Sequence, residues 1–207
     1  MAKIKLTKTE MKTQSDALKR FLRFLPMLLL KKQQLQAEIS AIAARLEEVM
    51  AREAAERAAL ESWVSLFASS SSDLGRLVRL GSVVTESSNI AGVTIPVYSR
   101  IETILEPLDL FETPAWLDDA VAMLVRMLSI KAEQAVLNRQ RELVVQELNT
   151  TSQRVNLFEK VKIPECRENI RLIKIAIGDA QTASVTRGKI AKGRNRKSDA
   201  ENGEEAA

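Results

Sequence analysis

Residues 18–49 read LKRFLRFLPMLLLKKQQLQAEISAIAARLEEV, and the spacing of the apolar residues in this stretch decides the fold. Alternating steps of three and four from Leu18 reach Phe21, Leu25, Leu28, Lys32, Leu35, Ile39, Ile42, Leu46 and Val49. The same steps continue through Glu53, Glu56, Leu60, Trp63 and Phe67. Lys32, Glu53 and Glu56 are the exceptions in an otherwise apolar series. A period of 3.5 held this long is the seam of a left-handed coiled coil. Leu22, Phe24, Met27, Leu29 and Leu30 add apolar surface beside the seam, so more than one partner must cover this end. The run is not a membrane span. Its ten residues from Phe21 to Leu30 include Arg23 and Pro26, whereas a span needs roughly 18 or more apolar residues. It is not a secretory signal either, because a long charged amphipathic segment follows it instead of a small-residue cleavage site.

Outward from this stretch, Thr7 and Glu10 form a capping box that starts a helix near Lys8. Pro26 removes one backbone bond and is expected to bend the helix locally. ASSSSDLG, residues 68–75, ends it, giving a rod roughly 90 Å long. A second helix is expected from Thr113 as N-cap and Pro114 at the first position, with Asp118 and Asp119 favourable near the positive end of its dipole. Its seam runs through Ala120, Met123, Met127, Ile130, Leu137, Val144, Leu148, Val155 and Phe158, with Gln134, Arg141 and Thr151 as polar members. Pro164 should bend or interrupt it, after which Ile170, Ile173 and Ile177 resume the seam. Between the helices, SVVTESSNIAGVTIPVYSRI, residues 82–101, places two β-branched runs around SSNIAG and predicts a small β-hairpin.

The predicted fold is all-α dominated: a long antiparallel two-helix coiled coil from the N- and C-terminal segments, with a mid-chain hairpin and short helices at one end. Residues 1–68 form the first helix and 69–113 the connecting region. Residues 114–190 form the second helix, and 191–207 a disordered charged tail.

Composition agrees with long helices. Aromatic residues are 4% of the 207, with seven glycines and five prolines. There is no histidine and a single cysteine, Cys166. A Ser-His-Asp or Cys-His arrangement and an ordinary zinc site are therefore excluded, and no cofactor or metal is expected. The lone cysteine forms no internal disulfide and suits a reducing compartment.

The net charge of +4 is unevenly distributed. RGKIAKGRNRK, residues 187–197, is basic without a carboxylate, and acidic residues follow. GKIAKGRN, residues 188–195, lacks the Lys-Ser/Thr of a P-loop and no strand precedes it. The basic run has no aromatic residue for base stacking, so nucleic acid is not expected as a partner. Glu53 and Glu56 read as a widened or solvated part of the seam, or as a docking place. Gln134 and Arg141 read either as register-fixing polar residues or as partner contacts.

TSQRVNLFEKVKIPE, residues 151–165, is the most specific stretch. It resembles the D subunit of the V-type and archaeal A-type rotary ATPases, a family with a TSQRVN-like segment followed by Ile-Pro. Thr151-Ser152-Gln153-Arg154-Val155-Asn156 and Ile163-Pro164 carry that resemblance. LLLKK at Leu28–Lys32, NIAGVTIP at Asn89–Pro96 and RGKIAK from Arg187 extend it over nearly the whole chain. The resemblance implies a non-catalytic shaft that turns inside a ring of catalytic and non-catalytic subunits and couples it to a membrane ion-translocating ring. It implies a small central-stalk subunit and a membrane-ring adaptor as further partners. The location implied is cytoplasmic, peripheral to the membrane and without insertion. From motif position, partner contacts are expected at Lys31, Lys32, Gln134, Arg141, Thr151, Gln153, Arg154, Asn156, Arg187 and Lys189. A homodimeric coiled-coil scaffold, or a coiled-coil protein binding nucleic acid through the basic run, are the alternatives.

Overall fold

A computed structural model describes residues 4–61, 78–105 and 116–204, with side chains to 194. Helix α1 spans Lys8–Glu61, strands β1 and β2 span Val78–Ile90 and Val93–Leu105, and helix α2 spans Leu117–Asn156. A π-helical turn, Leu157–Lys162, leads directly into helix α3, Ile163–Glu204. The chain forms two compact units, Leu30–Ser152 and Met1–Leu29 with Gln153–Ala207. Trp63 and Phe67 of the expected seam, the expected caps Thr113 and Pro114, and the short helices flanking the hairpin lie outside the described residues.

In the unit Leu30–Ser152 the seam is real packing. Leu35, Ile42, Leu46 and Val49 of α1 meet Leu137 and Val144 of α2 in one core. Each such side chain contributes roughly 1.5–3 kcal/mol of transfer free energy when fully buried. The two helices run antiparallel, because partners descend along α2 as they ascend along α1. Lys31 pairs with Glu147, Arg52 with Glu133 and Glu56 with Arg126.

The hairpin is longer than residues 82–101 and turns at Ala91–Gly92, while Ser87 to Ile90 lie within β1. Both turn residues have positive φ, 50° and 82°, as a two-residue turn matching the right-handed strand twist requires. The Gly92 N–H donates to Asn89 Oδ1 at 2.9 Å. The pairing register slips by one residue at Gly81 and is restored at Ser99, so two opposite irregularities cancel. A Cβ at Gly81 would stand 3.0 Å from the Glu102 carbonyl oxygen, which explains the glycine there. Ile95 is buried in the core, and Ile90, Ala91 and Val93 pack against it. The hairpin tip is thus a third element of that core, which relieves the marginal stability of a lone two-stranded ribbon.

In the other unit, the Glu10 N–H donates to Thr7 Oγ1 at 3.3 Å, starting α1 at Lys8 as expected. The reciprocal half of the capping box is absent: Glu10 Oε1 accepts from Gln14 Nε2 instead. Helix α1 is continuous through Pro26. At Pro164 the chain does not break; it widens. The Ile163 N–H donates to the Phe158 carbonyl, five residues back. This turn sits one residue before a proline that has no N–H and whose ring crowds the preceding turn of an ordinary helix. It also absorbs one extra residue in the seam. Half-buried Phe158 is followed by Ile163, Cys166, Ile170, Ile173 and Ile177, all buried or half-buried, so the step at the turn is five instead of four. The helical backbone of α3 continues to Glu204, past the boundary expected at residue 190.

Candidate functional site

No group of three or more His, Cys, Asp or Glu side chains suited to a metal occurs among the described residues. No helix there is long and apolar enough to cross a membrane. What distinguishes this molecule is its pattern of exposed and enclosed side chains.

Several expected contact residues are spent inside the chain. Lys31 Nζ lies 2.6 Å from Glu147 Oε1, both side chains being half-buried. Thr151 is 1% exposed and packs within the seam. A small β-branched residue fills this seam position much as Val155 fills the next one. Lys32 and Gln134 are half-buried. Arg141 stands exposed beside the seam, while its neighbour Gln140 is buried and donates from Nε2 to the Pro96 carbonyl of β2. Helix α2 therefore carries two packed faces, one for α1 and one for the hairpin, where Tyr98 and Ser129 hydroxyls also meet at 2.7 Å. A single 3.5-residue stripe cannot describe such a helix. Gln153, Arg154, Asn156, Arg187 and Lys189 are exposed.

Glu53, read from the sequence as a widened or solvated part of the seam or as a docking place, is not solvated: it is 9% exposed and paired within the chain. Its carboxylate lies 2.6 Å from Lys131 Nζ and 3.1 Å from Arg57. The Lys131 hydrogen bond, seconded by the charges of Lys131 and Arg57 and by Gln134, holds this carboxyl below its ordinary value against the opposing effect of burial. A buried carboxylate costs little only when so paired. The signal was present in the sequence as a seam position occupied by a charge; what was missing was its partner, 78 residues away. Cys166 is buried, and desolvation, with the nearby Glu165 charge, pushes its thiol up, making it a poor nucleophile.

Apolar surface is left open. In the unit containing the chain ends, Leu22, Phe24, Met27 and Leu29 of α1 are 41–60% exposed, and so are Leu157 and Val161 in the π turn at 44% and 49%. On α1 the seam residues Phe21, Leu25 and Leu28 face one way, the exposed apolar ones flank them on both sides, and Arg23 stands on the far side. An apolar surface this much wider than a seam is one that other proteins cover. Val185 and Ile190 of α3 are likewise exposed.

Helices paired antiparallel within one chain, a hairpin seated on their seam and wide surfaces left uncovered define a coiled-coil component of a larger assembly. The family model for the ATP synthase D subunit matches residues 10–193. The chain belongs to the ATP synthase D-subunit family. It is 44% identical over 192 residues to the V-type ATP synthase D subunit of Borreliella burgdorferi, covering 93% of this chain and 95% of that one. It is 31% identical to that of Chlamydia caviae, covering 92% and 93%, and 30% identical to that of Chlamydia muridarum, covering 92% and 95%.

Proposed function

We propose that this chain is the non-catalytic central shaft of a V/A-type rotary ATPase, turning inside a ring of catalytic and non-catalytic subunits. It passes torque between that ring and the membrane ion-translocating ring. Peripheral placement on the cytoplasmic side, a small central-stalk subunit and a membrane-ring adaptor complete the reading. The observation that carries it, beside family membership, is that the seam of the unit Leu30–Ser152 is filled from within the same chain. Leu35, Ile42 and Val49 of α1 are closed by α2, which leaves little apolar seam for a second copy and disfavours the homodimeric scaffold.

The physics of a shaft supports the reading. Two paired helices resist twisting more than one. Two unlike helices also make the part asymmetric, so each site of a ring meets a different face, which a symmetric dimer cannot offer. Lys189, Arg187, Gln153, Arg154, Asn156 and Arg141, with half-buried Lys31, Lys32 and Gln134 and buried Thr151, are the proposed contacts. Reconstitution tests the proposal. The ring purified without this chain should bind it one to one and gain rotation of a probe fixed to the chain, while the chain alone hydrolyses no ATP. ATP hydrolysis by the purified chain, or a ring that binds the chain and hydrolyses ATP without turning the probe, overturns the reading.

A further inference from the structure

The two edges of the β1–β2 ribbon are not alike. A two-residue turn makes its flanking pair, Ile90 and Val93, a hydrogen-bonded one, and open pairs alternate with bonded ones from there. Val84, Glu86 and Ser88 therefore bond to β2, while Val83, Thr85, Ser87 and Asn89 point their N–H and C=O groups away from it. Pro96 agrees with this alternation. It pairs with Ser87 at an open position, where β2 needs no donor, and its outward carbonyl accepts from buried Gln140. The β2 edge is thus turned to α2 and carries a proline. The β1 edge has neither protection: from Ser82 to Ile90 it holds no proline, no lysine and no bulge of its own. Val83, Thr85, Ser87 and Asn89 are exposed, and among the described residues no backbone group of another element bonds to them.

A row of donors and acceptors at strand spacing is satisfied by one kind of partner, an extended backbone running alongside. A second copy of this chain is a poor one. An antiparallel β1–β1 pairing that uses every outward residue sets Val83 opposite Asn89 and Thr85 opposite Ser87. It also sets Glu86 opposite Glu86 in a close, open pair, where like charges repel. A strand with a lysine or arginine at that point is favoured for the same reason.

On the shaft reading, on which this inference rests, the ring moves past this chain, and ladder bonds of fixed register cannot persist across a moving surface. The partner therefore turns with the shaft. Ile95 of the hairpin packs in one core with Leu35, Ile42, Leu46 and Val49, so the ribbon lies beside the paired helices and not beyond an end of them. That position suits the small central-stalk subunit better than an adaptor joining the shaft to the membrane ring. We infer that the outer edge of β1, residues 83–89, receives an extended strand of the small central-stalk subunit, with a basic residue opposite Glu86.

The experiment titrates the full chain with the purified small central-stalk subunit. T85P/S87P removes two outward donors and leaves the bonds to β2 in place, as proline on an edge strand can. T85A/S87A keeps both donors. The proline variant should bind at least about ten-fold more weakly, and the alanine variant within about two-fold of wild type. E86K, a change at an exposed side chain, should weaken binding about five-fold at low salt, the difference shrinking at about 1 M salt. Hydrogen exchange gives a readout independent of any variant. The amides of Val83, Thr85, Ser87 and Asn89 should exchange fast in the chain alone and become protected with the subunit. Those of Val84, Glu86 and Ser88 should be protected in both. Wild-type binding that leaves the outward amides fast, or that the proline variant matches, overturns the shared edge while the shaft reading stands. Outward amides protected by self-association of the chain, or only by the ring, overturn it too. Failure of wild type to bind the subunit overturns the strand pairing and that partner of the shaft reading together.

Discussion

The rings of Phe21 and Phe158 lie with centroids 4.9 Å apart and planes inclined by 49°. Phe158 belongs to the π turn, so an aromatic pair joins α1 to a turn that departs from α geometry. The tilted arrangement is one that aromatic quadrupoles favour. A double-mutant cycle of Phe21→Ala and Phe158→Ala should give a coupling of roughly 0.5–1.5 kcal/mol in urea denaturation. Additive single effects would mean that the rings merely share a neighbourhood.

The π turn has two candidate causes, and they separate. If the seam register sets it, deleting Lys160 should restore an ordinary helix, because the step from Phe158 to Ile163 falls from five to four. Pro164→Ala should then leave the π turn in place and raise stability by about 1 kcal/mol through the restored N–H. Backbone chemical shifts and amide bond couplings across residues 157–163 read both outcomes. Disappearance of the turn in Pro164→Ala would assign it to the proline.

Leu35 is fully buried and Leu30 is 60% exposed, although both are leucines of one helix five residues apart. Leu35→Ala should cost about 2–5 kcal/mol in chemical denaturation, as cavity-forming substitutions do. Leu30→Ala should stay within about 0.5 kcal/mol for the chain alone. Similar costs at the two positions would contradict the seam described for this unit.

Glu53 makes stability depend on pH. Its folded carboxyl titrates below the ordinary 4.5, so near that pH the unfolded chain binds more protons than the folded one. The contribution of the Lys131 and Arg57 pairs is therefore complete above pH 4.5, declines below it and is lost once the pH passes the lowered folded value. Melting temperature followed from neutral to acid pH should fall less steeply for Glu53→Gln than for wild type. Parallel curves would show that the pairing adds nothing.

The polypeptide alone determined the helical seams, the cap at Thr7 and Glu10 and the presence of a hairpin. All three are local: 3.5-residue periodicity, a hydroxyl three residues before an amide, and β-branched runs around a glycine turn each follow from neighbours in the chain. The TSQRVN and Ile-Pro pattern made the family legible for the same reason. Tertiary structure decided what depends on partners distant in sequence. Lys31 is held within the chain because Glu147 arrives from α2. Gln140, rather than Arg141, is buried because the Pro96 carbonyl of β2 waits on a second face of α2. Glu53 is a buried ion because Lys131 arrives from the opposing helix. Side-chain period reports which face of a helix is apolar; only packing assigns each polar residue on that face a partner or leaves it to solvent.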